Sequence, residues 1–284
     1  MYNGPMKSIL DFSRKHPIIT AIEAVLFCMA SLLIIRPNAA VEGYGIADVL
    51  LRFLLAIVAG AFLHAVSGDK TFDCCDKKSL YVIKSLCPFW IMGIFLAVLM
   101  LITNAANRAE TADGWLLKLN LMFIFCLAAG AFEETLFIAV INDAVLRQFR
   151  RLKWAFVLAA VIHSAVFGAV QLIGADFSTG SSTAAVLLKM ISSVLFSLCM
   201  VILYWKTRNV WALALVRGIY EFFGMVPGTI FMNADIGGYA GTRGGITVSL
   251  VFFAIRTFVA LIMLVLILKN ALKGLDLTKL RREW

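Results

Sequence analysis

The sequence is dominated by eight long apolar runs, separated by shorter polar or basic stretches. Each run is close to the ~20 residues that an α-helix needs to cross a bilayer, and none alternates with the period of two found in membrane β-barrels. The runs are residues 17–36, 46–66, 80–103, 117–141, 153–173, 183–205, 209–226 and 247–268. We therefore predict an all-α integral membrane protein with about eight transmembrane helices in one bundle, formed by residues 1–284 as a single polytopic domain.

Lysine and arginine are distributed unevenly between the two ends of these runs. With the N-terminus in the cytoplasm, 18 of the 26 lie in cytoplasmic segments, six lie on the opposite side and two lie within spans. Cytoplasmic loops of membrane proteins carry an excess of these residues. We therefore expect both termini in the cytoplasm. We also expect the net charge of +9 to serve topology and contact with membrane lipid rather than nucleic-acid binding.

Two adjacent glutamates, Glu133 and Glu134, interrupt the fourth run near the predicted bilayer midplane. A charge in hydrocarbon costs several kcal/mol, so intramembrane carboxylates usually face the bundle interior, find partners and mark a site. We interpret both as candidate functional residues. Asn142 and Asp143, which follow at the end of the same run, are interpreted as a solvated helix end.

Three segments further define the candidate site. They read FEETLFI at 132–138, FGAVQ at 167–171 and RGIYE at 217–221. Their order and spacing resemble the CAAX protease and bacteriocin-processing family, also called the Abi family of glutamic intramembrane proteases, whose motifs are EExxxR, FxxxH and HxxxN. The resemblance covers about 130–224 and implies a helical core at about 117–226. It also implies peptide-bond hydrolysis, in which the glutamates and the first histidine activate water while the second histidine and the asparagine hold the oxyanion.

Four of the six motif positions are substituted in this chain. Glu133 and Glu134 match, and the other positions hold, in order, Ile138, Gln171, Arg217 and Glu221. A glutamine amide can orient a water but cannot accept its proton, and arginine is a permanent cation. The cation missing at Ile138 thus reappears at Arg217, one turn before Glu221. This pattern predicts a buried ion-pair network in place of acid–base machinery.

One histidine, His163, lies on a predicted span near the candidate site. It precedes Gln171 by two helical turns and shares a helical stripe with Phe167. A lone histidine on an apolar helix is more often a core residue bonded to a carbonyl or hydroxyl than a catalytic one. Both interpretations of His163 stay open at this point.

These residues favour a divergent family member with a weak or inactive site, whose polar intramembrane cavity binds a peptide, a lipidated protein or a membrane-protein partner. One alternative is an active glutamic endopeptidase that uses Glu133 and Glu134 to activate water, with Arg217 as oxyanion donor. Another is a small-solute transporter, although no internal repeat supports it. The residue spacing predicts no cofactor and no metal site. We expect the protein in the plasma membrane of a bacterium.

Overall fold

The computed structural model of the chain describes residues 5–35, 45–68, 77–106, 109–173, 175, 177, 179–231 and 246–272. Within these ranges the chain is almost entirely helical, and its only β contact is an isolated bridge between Thr111 and Phe231. The helices are α1 (Pro5–Lys15), α2 (Pro17–Ile35), α3 (Ile46–Ser67), α4 (Lys77–Ala106), α5 (Trp115–Glu133), a π-helical segment (Glu134–Val140), α6 (Ile141–Gln148), α7 (Ala155–Val170), α8 (Gly180–Thr207), α9 (Val210–Ile230) and α10 (Ile246–Leu272).

The prediction of an all-helical membrane bundle with about eight spans is confirmed. In the described part of the chain, seven helices are long and apolar enough to cross a membrane, and α7 is a shorter apolar helix of 16 residues. Each predicted run coincides with one of these helices. The fourth span is longer than predicted, because α5, the π-helical segment and α6 continue without interruption over Trp115–Gln148.

The expectation that Asn142 and Asp143 form a solvated helix end is wrong. Both side chains are buried, because α8 and the turn after it supply polar partners. Asp143 accepts hydrogen bonds from both terminal nitrogens of Arg208, at 2.8 and 2.9 Å, and from the Tyr204 hydroxyl at 2.9 Å. The Trp205 indole donates to Asn142 at 3.1 Å. A buried carboxylate with these donors avoids the cost of an unpaired charge.

Helices α5 and α9 cross in close backbone contact at two glycines. A Cβ atom on Gly130 would lie 2.5 Å from a carbonyl oxygen of α9, and one on Gly218 would lie 2.8 Å from a carbonyl oxygen of α5. Only residues without a side chain permit so short an approach, which is a common device at helix crossings in membranes. Gly130 precedes Glu133 by about one turn and Gly218 follows Arg217, so the crossing sets the distance between these charged residues.

We predict that Gly218→Ala lowers thermal stability in detergent, because the added methyl group would meet the backbone of α5. Overpacking of this kind typically costs about 1–3 kcal/mol. The matched control is Gly224→Ala on the same helix, where an added Cβ has no neighbour within 4 Å. A melting temperature that falls for Gly218→Ala and not for Gly224→Ala is the expected result. Equal melting temperatures would contradict the proposed backbone contact.

Candidate functional site

The two adjacent glutamates lie where the fourth span changes its helical geometry. α5 ends at Glu133, and the seven residues from Glu134 to Val140 form the π-helical segment, with every side chain buried. Such wide turns are rare and occur frequently at functional sites. The segment places Glu134 toward α9 and the core, whereas Glu133 stays partly accessible.

Arg217 on α9 contacts three carboxylates at once. Its Nη2 atom lies 2.5 Å from Glu133, its Nη1 atom donates to Glu134 at 3.0 Å, and its Nε atom donates to Glu221 at 3.0 Å. Glu221 is one turn further along the same helix, so both side chains project from one face. The guanidinium therefore joins α9 to α5 and to the first residue of the π-helical segment.

These charges are largely removed from solvent. The side chains of Glu134 and Arg217 are 0% and 5% exposed, whereas those of Glu133 and Glu221 are 20% and 25% exposed. Among the described residues, the second carboxylate oxygen of Glu134 has no hydrogen-bond partner. Three carboxylates share one guanidinium, so neighbouring cations or bound protons must balance the remaining negative charge.

Two aromatic rings pack against the Arg217 guanidinium. Its carbon lies 4.6 Å from the centre of the Phe167 ring and 5.9 Å from that of Phe196. A cation at this distance from an aromatic face is attracted by the ring electrons. Phe167 is the first residue of the FGAVQ segment, so this segment contributes to the site through its aromatic ring.

His163 packs against Phe167 and is fully buried. The two rings are stacked with centres 5.9 Å apart. The Phe137 carbonyl, 2.7 Å away, can only accept a hydrogen bond, so Nδ1 of His163 carries the proton. Nε2 then accepts from the Ser197 hydroxyl at 2.6 Å. Both ring nitrogens are thus engaged in the core, and His163 is not part of the cavity wall.

A cavity of about 110 Å³, lined by both charged and apolar side chains, lies beside the ion-pair network. Glu133, Glu221 and Arg217 form one side, and Gln171, at the end of α7, contributes to the wall. Two further cations line the cavity, Lys189 from α8 and Arg256 from α10. The cavity, enclosed by helices long and apolar enough to cross a membrane, therefore presents both signs of charge.

Arg256 lies well inside α10. The structure places its guanidinium carbon 4.9 Å from the centre of the Tyr220 ring. Its Nε atom is buried and has no hydrogen-bond partner within the described ranges. In the part of the chain that the structure describes, Arg256 thus contacts an aromatic ring and forms no direct ion pair.

Lys189 could not be recognised as a cavity residue from the sequence, because it is one of the six cations predicted to lie on the side opposite the cytoplasm. The structure begins α8 at Gly180, which places Lys189 more than two turns inside the helix. The helix-initiating Thr179, whose side chain accepts from the Ser182 amide, was the available signal for this earlier start.

The described residues contain no group of three or more His, Cys, Asp or Glu side chains arranged to hold a metal ion. The three glutamates converge on a guanidinium instead. The arrangement can hold a polar group or several water molecules against fixed charges. It offers two partly exposed carboxylates, each already in contact with a permanent cation.

One family model matches part of the chain. Residues 115–223 match the family model described as type II CAAX prenyl endopeptidase Rce1-like. The matched region runs from α5 into α9 and contains all three motif segments, so the predicted resemblance is confirmed. No curated protein and no solved structure matches the chain.

We predict that Arg217→Met destabilises the protein, because it leaves three carboxylates without their common cation. Removing one partner of a buried ion pair typically costs about 3–5 kcal/mol. A second change, Glu134→Gln or Glu221→Gln, removes part of the unbalanced charge and should recover part of the lost melting temperature. If neither double mutant were more stable than Arg217→Met, the prediction that these ion pairs stabilise the protein would be wrong.

Proposed function

We propose that this Rce1-like membrane protein has lost peptidase activity and uses its intramembrane cavity to bind a peptide, a lipidated protein or a membrane-protein partner. The observation that carries the proposal is the contact of one guanidinium with Glu133, Glu134 and Glu221, at 2.5, 3.0 and 3.0 Å. Arginine cannot give up its proton, so it fixes these carboxylates as ion-pair partners and takes no part in proton shuttling.

Gln171 and His163, the other polar candidates near the glutamates, cannot serve as a general base for hydrolysis. Gln171 lines the cavity, but its amide cannot accept a proton from water. The chain contains three histidines, and the one close to the site, His163, uses both ring nitrogens in hydrogen bonds within the core. A general base must reach the water that it activates, either directly or through another water. The two glutamates alone would have to perform this role while paired with Arg217.

The cavity supports the binding part of the proposal. Concave sites with a few convergent polar groups are typical of ligand-binding sites, and charged residues within membrane spans usually serve a function. Lys189 and Arg256 line the side contributed by α8 and α10, and Glu133 and Glu221 line the other. A polar or charged group of a membrane-embedded ligand would find complementary charge there without entering bulk water.

One observation favours active glutamic endopeptidase as a second candidate. The second carboxylate oxygen of Glu134 is buried and lacks a hydrogen-bond partner among the described residues. An ordered water at this oxygen would bring a nucleophile next to the glutamate pair, with Arg217 close enough to stabilise an oxyanion. An assay of peptide hydrolysis separates this candidate from a protein that only binds its ligand.

We predict that the purified protein hydrolyses a prenylated CAAX peptide at the background rate. General acid–base catalysis is worth about 10²–10⁴ in rate, and the residues that would supply it are replaced. The combined variant Gln171→His, Arg217→His, Glu221→Asn and Ile138→Arg restores every motif position and should raise hydrolysis above wild type. Its matched control adds Glu134→Gln and should return to background. Robust wild-type turnover that is abolished by Glu134→Gln would establish the endopeptidase instead.

We further propose that the protein resides in a bacterial plasma membrane with both termini in the cytoplasm. The uneven distribution of Lys and Arg supports this orientation. It places the exposed residue Asp113 outside and the exposed residue Arg150 inside.

We therefore predict that an impermeant thiol reagent labels Asp113→Cys in intact cells more strongly than the parent protein. Arg150→Cys should gain labelling only after the cells are permeabilised. The reverse pattern would invert the topology.

A further inference from the structure

A second concave site lies on the lipid-facing surface, away from the charged cavity. Both α7 and α10 pack on α8, and the space between them forms an apolar groove of about 580 Å³. Its wall is almost entirely hydrocarbon. The one residue with a hydroxyl in the wall is Ser164, whose buried oxygen has no hydrogen-bond partner among the described residues.

The dimensions of the groove match one leaflet of a bilayer. Its lining residues on α8 run from Val194 to Trp205, and those on α7 run from Phe156 to Ser164. At 1.5 Å per residue these stretches are roughly 16 and 12 Å long. The hydrocarbon core of a membrane is about 30 Å thick, so the groove is about as long as the acyl region of one leaflet. A partner's transmembrane helix would instead require a surface along the whole span.

Exposed basic side chains surround one end of this groove. The loop before α7 carries Arg150, Arg151 and Lys153, all exposed, and Phe156 begins the groove three residues after Lys153. On α10 the exposed Lys269 directly follows Leu268, which lines the groove at the same end. Trp154, whose side chain is 73% exposed, lies beside them, as aromatic residues do at the membrane–water boundary.

We infer that this groove is a binding site for an anionic phospholipid, with one acyl chain between α7 and α10 and the headgroup at the basic residues. The apolar wall accepts the chain, the groove length matches one leaflet, and the positive charge at its mouth selects an anionic headgroup. This site does not depend on the proposed function, because it shares no lining residue with the charged cavity.

The test uses the full-length protein in phosphatidylcholine vesicles that contain a small, equal mole fraction of brominated phosphatidylglycerol or brominated phosphatidylcholine. Bromine quenches nearby tryptophan, and Trp205 lines the groove. The Trp205→Phe variant assigns the part of the signal that comes from this residue. We expect brominated phosphatidylglycerol to quench Trp205 more strongly than brominated phosphatidylcholine.

Two matched variants locate the site. Ala160→Phe fills the groove and should abolish the excess quenching, whereas Ala254→Phe adds the same bulk to an exposed position of α10 outside the groove and should preserve it. Native mass spectrometry should likewise show one fewer retained phosphatidylglycerol for Ala160→Phe only. Excess quenching that survives Ala160→Phe, or equal quenching by the two lipids, would overturn the proposal. Dissociation of a dimer by Ala160→Phe would also overturn it, because the groove would then hold a second copy of the chain.

The headgroup contribution is tested by Arg151→Gln, Lys153→Gln and Lys269→Gln. Each should reduce the preference for phosphatidylglycerol about 5-fold, which corresponds to the usual contribution of one basic residue near an anionic surface. Lys118→Gln, an exposed residue of α5 near the opposite end of the bundle, is the control and should change nothing. These variants decide the outcome even if Ala160→Phe does not fold. An unchanged preference in all three would overturn the assignment of the headgroup site.

Discussion

The close approach of α5 and α9 is the constraint on which the charged site depends. The guanidinium of Arg217, which also pairs with Glu221 on its own helix, reaches Glu133 and Glu134 because the two backbones meet at Gly130 and Gly218. Arg217 and Gly218 are adjacent, so any change in the crossing moves the ion pairs directly. The glycine contact and the ion pairs are therefore parts of one arrangement, in which backbone packing brings the charges together and the charges hold the helices in register.

A permanent cation at the centre gives this arrangement a different chemical character from a histidine-based site. A histidine can hold a proton and release it near neutral pH, whereas arginine retains its charge. The rings of Phe167 and Phe196 next to the guanidinium also favour its charged form, because an aromatic face attracts a cation. The result is a rigid electrostatic centre beside a small cavity. Such a centre suits recognition of a polar group better than transfer of protons.

The fold could be predicted from the sequence because span length and apolar content alone define membrane helices. The candidate site was accessible through motif spacing, which singled out Glu133, Glu134, Arg217 and Glu221 before their distances were known. What could not be predicted depends on contacts between distant segments.

The burial of Asp143 is one such contact, because it requires Arg208 and Tyr204, which lie more than sixty residues away. The engagement of both nitrogens of His163 is another, since it requires carbonyl and hydroxyl partners on two other elements. Periodicity within one helix contains no information on either.

The π-helical segment from Glu134 to Val140 also sets the phase between the two halves of the fourth span. It begins with Glu134 and ends two residues before Asn142, and the glutamates and the Asn142–Asp143 pair must both face the protein interior although they meet different partners. In a regular α-helix each residue advances by about 100°. The wider π-helical turn advances by less per residue, so tightening the same residues into a regular α-helix would rotate one half against the other by about that angle. One polar pair would then turn away from its partners whenever the other faced its own, so the wide turn itself is needed to keep both pairs inside.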